Sequence, residues 1–287
     1  MKKILIAFLL FFFSVSAQAH PKKHHIRTGK HHTKNHTHAK PVKKVIKQTP
    51  TSVNVLLVNA TDNALLMGTL NGTKMSIASI SKLMTIYTVM KHDQDFNEIL
   101  TVQNSLRNHT TLRKGLRLTR GDLVKLSLVH SDNLAAVTLS ENYPGGKEGF
   151  VFDMNKNAKE LGMQRTVFYE PTGLNANNSS TLGDIVLLTN AVSKFEIFRQ
   201  AAQTENITVY AMQGTKQIKI KANATSKFFG QEGILTIKTG FTNAAGFCIT
   251  MLVFTDNKLY NIVILGARSS NERKNIIEKS MQTIHSI

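Results

Sequence analysis

The chain has 287 residues, enough for one large or two small domains, and 41% of them are hydrophobic, so most of it is expected to fold. Its 36 Lys and Arg against 18 Asp and Glu give a formal charge of +18, a balance that points to an acidic polymer or surface as partner. A single cysteine excludes an internal disulfide framework and a cysteine-based zinc finger.

The charge is unevenly placed. Residues 1–50 hold eleven Lys or Arg and no acid, so the remaining 237 residues carry only +7. Met1-Lys2-Lys3 is a short positive start, Ile4 to Val15 is apolar, and Ala17-Gln18-Ala19 is an A-x-A cleavage site. That is the pattern of a secretory signal peptide over residues 1–19, with His20 as the first mature residue. The apolar run is shorter than the roughly 20 residues that span a bilayer, and no cysteine follows it for lipoprotein processing. Residues 20–52 hold seven of the eleven histidines and almost nothing apolar. Such a segment is expected to be a disordered linker. Attachment to an anionic envelope polymer and metal binding by the histidines are the other readings.

From residue 53 a folded domain is expected. Val53 to Val58 and Ala64 to Met67 read as a hairpin around the turn Asn59 to Asn63. Ser79 to Met90 is apolar on nearly all sides, as in a buried helix. Thr119 with Asp122 caps a helix running to about His130. Asn133 to Ser140 reads as a helix, and Tyr143-Pro-Gly-Gly146 as a turn. Phe150, Met154, Ala158 and Leu161 form an i, i+4 stripe ended by Gly162. Thr181 and Asp184 start another helix. After about residue 206 the pattern turns strand-like. Ile234 to Thr239, Phe247 to Thr255 and Leu259 to Leu265 are β-rich, with a turn at Asp256-Asn257-Lys258. Asn271 to Ile284 reads as a closing helix. Cys248 lies in an apolar run and reads as a buried, inert thiol. The order gives an α+β fold: an antiparallel sheet flanked by helices, with a large helical insertion between its first and last strands.

Three short motifs stand in order: Ser79-Ile80-Ser81-Lys82, Ser131-Asp132-Asn133 and Lys238-Thr239-Gly240. Each alone has a plain structural explanation, since Ser79 and Ser131 could be helix caps and Lys-Thr-Gly the end of a strand. All three in order point to an active-site serine acyltransferase of the penicillin-recognising type. Ser79 and Lys82, three apart on a helix, share a face. The helix N-terminus favours a developing alkoxide on Ser79. Lys82 can act as base if burial and a like charge such as Lys238 depress its pKa. Ser131 can relay a proton to the leaving amine. Asn133 can orient Lys82 and bind a substrate amide. Lys238 with Thr239 can hold a substrate carboxylate, and Gly240 can let substrate backbone approach the strand.

The segments Ile77 to Thr85, Ser131 to Asn133, Tyr143 to Gly146, Glu170-Pro-Thr-Gly-Leu174 and Lys238 to Gly246 together resemble the low-molecular-mass penicillin-binding proteins. These are the D-alanyl-D-alanine carboxypeptidases and endopeptidases of bacterial peptidoglycan, and the likeness is strongest to the penicillin-binding protein 7 type of endopeptidase. It extends over about residues 53–287 and implies the penicillin-binding protein/β-lactamase-like transpeptidase fold. It further implies that Ser79 is acylated by a D-alanine-terminated peptide, or by a β-lactam, and deacylated by water, with neither metal nor cofactor. The oxyanion hole would be the backbone N–H groups of Ser79 and Phe241. Stem peptides of peptidoglycan are then the expected partners, and nucleic acid is not. Many carboxypeptidases of the family carry a further β-rich domain and a C-terminal anchor. The end of this chain just after the closing helix favours the unanchored, periplasmic endopeptidase type, soluble or loosely envelope-associated. Three other readings stand beside it. A D-alanyl-D-alanine carboxypeptidase would act on pentapeptides. A class A-like β-lactamase would use Glu170 in deacylation. A catalytically idle wall-binding module would rely on the cationic arm.

Overall fold

A computed structural model describes residues 52–68 and 72–286, so the expected signal peptide and almost all of the His-rich linker lie outside the described residues. The opening hairpin forms as read: β1 (Asn54–Asn59) pairs antiparallel with β2 (Leu65–Gly68). A short β3 (Met75–Ser76) follows. The expected helix over Ser79–Met90 is divided: Ala78–Ile80 form a 3-10 turn, and α1 (Ser81–Lys91) continues from it. The whole of α1 up to Val89 is buried, which matches its all-round apolar composition.

Two three-residue strands not evident in the sequence come next, β4 (Ile99–Thr101) and β5 (Arg117–Thr119). Thr119 caps α2 (Arg120–Lys125) by accepting the N–H of Asp122. The helix expected to reach His130 widens its register there: residues Leu126–His130 form a π-turn. The helices α3 (Asn133–Glu141) and α4 (Gly146–Glu160) follow, and α4 buries Phe150, Met154 and Ala158 as its spacing required. After β6 (Ser179–Ser180), which pairs with β3, come α5 (Leu182–Val192), capped by Thr181, and a short α6 (Glu196–Ala202).

The remaining strands divide between two sheets. The hairpin β7 (Asn206–Gln213) and β8 (Lys216–Asn223) alternates buried and exposed residues and joins β4 and β5 in the order β4-β5-β7-β8. The strands β9 (Ile234–Thr242), β10 (Gly246–Thr255) and β11 (Lys258–Ala267) are buried on both faces and complete a five-stranded antiparallel sheet, β2-β1-β11-β10-β9. The helical block is thus inserted between strands of one sheet, as the element order implied. Alternate residues of β11 face the two core clusters: Val263 and Leu265 one, Ile262 and Ile264 the other. The closing helix α7 (Ser270–His285) packs Ile277 and Ile284 into the second cluster. Thr189 and Asn190 of α5 bond Thr250 and Asn261 of the sheet at 2.8 Å each, tying the helical block to β10 and β11. Among the described residues no helix is long and apolar enough to cross a membrane.

Candidate active site

Ser79 sits in the 3-10 turn and Lys82 in the first turn of α1, so the side chains meet although the two residues are not in one regular helix. Lys82 is fully buried, and its Nζ donates to Ser79 Oγ at 3.0 Å, Asn133 Oδ1 at 2.7 Å and the Thr172 carbonyl at 2.8 Å. All three ammonium protons therefore have acceptors, yet burial pulls the pKa from 10.5 down to about 7. The carboxylates of Glu170 and Asp132 act against that fall. Near neutral pH the amine is free of its proton about half of the time and can take one from the hydroxyl 3.0 Å away.

The π-turn ends on Ser131, which is left-handed with φ +61°. A non-glycine residue in that region costs about 1–2 kcal/mol, and here the conformation places Ser131 Oγ within 2.9 Å of Lys238 Nζ. Asp132, for which the motif alone suggested no role, locks the turn. Its carboxylate caps α3 through the Ala135 N–H at 3.0 Å and accepts the Thr110 hydroxyl and both the N–H and hydroxyl of Thr111. The preceding loop returns the clamp: the Asn108 carbonyl accepts Asn133 Nδ2 at 2.8 Å, and the His109 carbonyl accepts the Asn133 N–H at 3.1 Å. Asn133 Oδ1 is thereby aimed at Lys82.

Lys238 is also fully buried, held by Ser131 Oγ and the Thr239 carbonyl. Its pKa is driven well down, first by burial and then by the charges of Lys82 and Arg273. Its ammonium group is buried against Ser131 and does not line the cleft. Thr239, whose hydroxyl meets that of Thr225 at 2.5 Å, does line the cleft. Gly240 is constrained by a contact within the chain as well as lining the cleft. A Cβ there would lie 2.8 Å from the Ser79 nitrogen and 3.0 Å from the Ala78 Cβ. Strand β9 therefore abuts the Ser79 turn, with Phe241 next along it at the cleft rim, half-exposed.

The Glu170–Leu174 loop supplies the third acceptor for Lys82. Glu170 Oε2 accepts the Thr172 N–H and hydroxyl, and Oε1 accepts the N–H groups of Gly173 and Asn175 and the Asn178 amide. With its oxygens committed to its own loop, Glu170 is an organiser of the Thr172 carbonyl. Gly173 has φ +85°, and a Cβ there would lie 1.8 Å from the Ala78 carbonyl, so only glycine lets this loop seat against the Ser79 turn.

Ser79, Ser131, Asn133, Thr239, Gly240 and Phe241 all line one cleft of about 510 Å³. Arg273 of α7, which no sequence motif marked, lines it too. Its guanidinium donates to the Cys248 carbonyl at 3.1 Å and lies 5.8 Å from the Phe247 ring centroid. Arg273 is a cation that reaches the cleft wall, where the two motif lysines do not. Cys248 itself is buried, and its thiol is pushed up to about 11 by that burial. Among the described residues no group of three His, Cys, Asp or Glu could hold a metal ion.

The family model described as D-alanyl-D-alanine carboxypeptidase, peptidase family S11, matches residues 40–269. A D-alanyl-D-alanine endopeptidase of Escherichia coli strain K12 is 35% identical over 196 residues, 67% of this chain and 63% of that protein. One of Pseudomonas aeruginosa shows the same identity and coverage over 198 residues. The match thus spans a little under two thirds of the length of these relatives. The Streptomyces K15 DD-transpeptidase shares the fold, with a TM-score of 0.75 at 22% identity over 85% of this chain and all of that one. A cefotaxime-bound penicillin-binding protein D2 from Listeria monocytogenes superposes with a TM-score of 0.69 at 25% identity, covering 80% of this chain and 95% of that one.

Proposed function

The chain belongs to the D-alanyl-D-alanine carboxypeptidase family, and from that premise we propose that it hydrolyses D-alanyl peptide bonds of peptidoglycan through an acyl-enzyme on Ser79. The observation that carries the reading is the neutralisable Lys82 amine, held between Ser79 Oγ and Asn133 Oδ1 with its pKa at about 7. Lys82 accepts the Ser79 proton as Oγ attacks the carbonyl carbon of a D-alanyl residue. The backbone N–H groups of Ser79 and Phe241 stabilise the oxyanion. The proton reaches the leaving amine through Ser131, which Lys238 polarises at 2.9 Å. Water then takes the place of the amine, and Lys82 deprotonates it in turn. Asn133 and Thr239 bind the substrate backbone, and Arg273 with Thr239 receives a carboxylate. A β-lactam presents a strained amide to the same groups and is expected to acylate Ser79.

Cross-linked stem peptides are the preferred substrates in this reading, because the relatives at 35% identity are named endopeptidases. Pentapeptide trimming is the second reading, favoured by the family's description. A β-lactamase activity is disfavoured, since fast deacylation needs a carboxylate facing water at Ser79 and Glu170 is engaged in its own loop. We take residues 1–19 as an export signal, which puts the enzyme in the periplasm. Residues 20–52 serve as a cationic tether for anionic envelope polymers, and 53–287 as the catalytic domain. Incubation with purified muropeptide dimers and with pentapeptide monomers tests the proposal. Conversion of dimers to monomers is expected; release of D-alanine alone would make it a carboxypeptidase, and turnover of neither would refute it.

A further inference from the structure

The four-stranded sheet shows solvent a face that the chemistry above does not use. Along β7 and β8, Ile207, Val209, Ala211, Ile220 and Ala222 are buried, while Thr208, Tyr210, Lys219 and Lys221 are exposed. The register sets Tyr210 opposite Lys219, Thr208 opposite Lys221, and Arg117 of β5 opposite Met212. Paired residues of one parity point to one side of a sheet. Arg117, Tyr210, Lys219 and Lys221 therefore share the outer face. Among the described residues none of the three cations is in an ion pair; Arg117 donates only to the Gly214 carbonyl. All four strands lie within residues 99–121 and 206–231, which contain no Asp or Glu.

Lysines on an outer strand guard against strand addition, which would account for Lys219 and Lys221 alone. It does not account for Arg117 and Tyr210, which stand on the interior strands β5 and β7, nor for a sheet without a single acid. The ribbon also leads into the cleft. The Asn223 carbonyl at the end of β8 accepts His130 Nδ1 at 2.9 Å, and Thr225 two residues on lines the cleft. At about 3.3 Å per residue, Lys221 lies within about 13 Å of Thr225 and Lys219 within about 20 Å.

We propose that this face is a docking surface for a neighbouring strand of the wall polymer whose cross-link occupies the cleft. The identity of that polymer rests on the function proposed above. Its stem peptides end in carboxylates, which the Arg117, Lys219 and Lys221 side chains would pair, while the Tyr210 ring would lie against the apolar faces of peptide or sugar.

Amine-reactive acetylation of the full chain, read by mass spectrometry with and without purified peptidoglycan sacculi, tests the proposal. Reactivity of Lys219 and Lys221 should fall at least about fivefold on adding sacculi, while the exposed α4 residues Lys147 and Lys159 keep theirs. The Arg117→Gln/Lys219→Gln/Lys221→Gln variant should solubilise sacculi about fivefold more slowly yet cleave soluble muropeptide dimers within about twofold of the parent. Unchanged reactivity of Lys219 and Lys221, or equal slowing on both substrates in a variant that still binds penicillin normally, would overturn it. Equal protection by heparin at matched ionic strength would also overturn the commitment to the wall polymer. A parent chain that protects these lysines on sacculi but cleaves nothing would uphold the docking surface and refute the catalytic reading.

Discussion

Lowering the pH from 7 to 5 should slow penicillin acylation of the free protein about 50-fold, because it protonates one buried amine. With its pKa at about 7, Lys82 is half neutral at pH 7. At pH 5 the neutral fraction is about one in a hundred, and the second-order rate follows that fraction if Lys82 is the base. The assay is the rate of fluorescent penicillin labelling between pH 5 and 8. Lys82→Gln should remove the limb and reduce the rate by about 10²–10⁴ at pH 7, with a smaller deficit at pH 5. A flat profile between pH 5 and 7 in the parent protein would refute the assignment. The same group leaves a mark on stability. Its folded pKa lies below its unfolded value of 10.5, so the unfolded chain binds the extra proton between about pH 7 and 10.5. Stability should therefore rise with pH across that window, by at most about 1.4 kcal/mol per unit from this residue, and the penalty should be complete below pH 7. Urea unfolding of Lys82→Met should lack that contribution to the slope.

Three further substitutions probe the frame. Gly240→Ala puts a methyl 2.8 Å from the Ser79 nitrogen, so either β9 or the 3-10 turn must shift. Since a displacement of about 1 Å can cost 10²-fold, labelling should fall at least that far while circular dichroism stays that of the parent. Asp132→Ala removes a helix cap and three further hydrogen bonds, and should lower stability by about 3–5 kcal/mol in urea unfolding. Asp132→Asn should retain part of this. Arg273→Gln should raise KM for a D-alanine-terminated peptide at least about tenfold with a much smaller change in kcat, measured by D-alanine or amine release.

The chain's lysines show what the sequence could and could not reveal. Motif order singled out Ser79, Lys82, Ser131, Asn133, Lys238 and Thr239, because serines and lysines at those spacings have few uses, and side-chain hydrogen bonds join five of the six in two sets, Ser79–Lys82–Asn133 and Ser131–Lys238. Long, uniformly apolar runs such as β9 to β11 and α1 were legible for the same reason. What escaped was set by tertiary contact. Three-residue strands β4 and β5 carry too few residues for a periodicity, and they exist because the β7–β8 hairpin needs partners. The π-turn before Ser131 leaves no local pattern. Gly240 was noticed without its neighbour in the chain, since the turn that constrains it, at Ser79, lies over 160 residues earlier in the chain. Arg273 is one of many helical cations until the fold brings α7 to the cleft. Thr172 acts through its carbonyl, which carries no residue-type signal; only the Glu170-Pro-Thr-Gly-Leu segment hinted at its loop.

The most direct measurement is peptide mapping by mass spectrometry of the full chain after brief exposure to benzylpenicillin. The account predicts one covalent penicilloyl group, on the peptide containing Ser79, and none on the Ser79→Ala protein. An adduct on Ser131, or equal modification of Ser79→Ala, would contradict it.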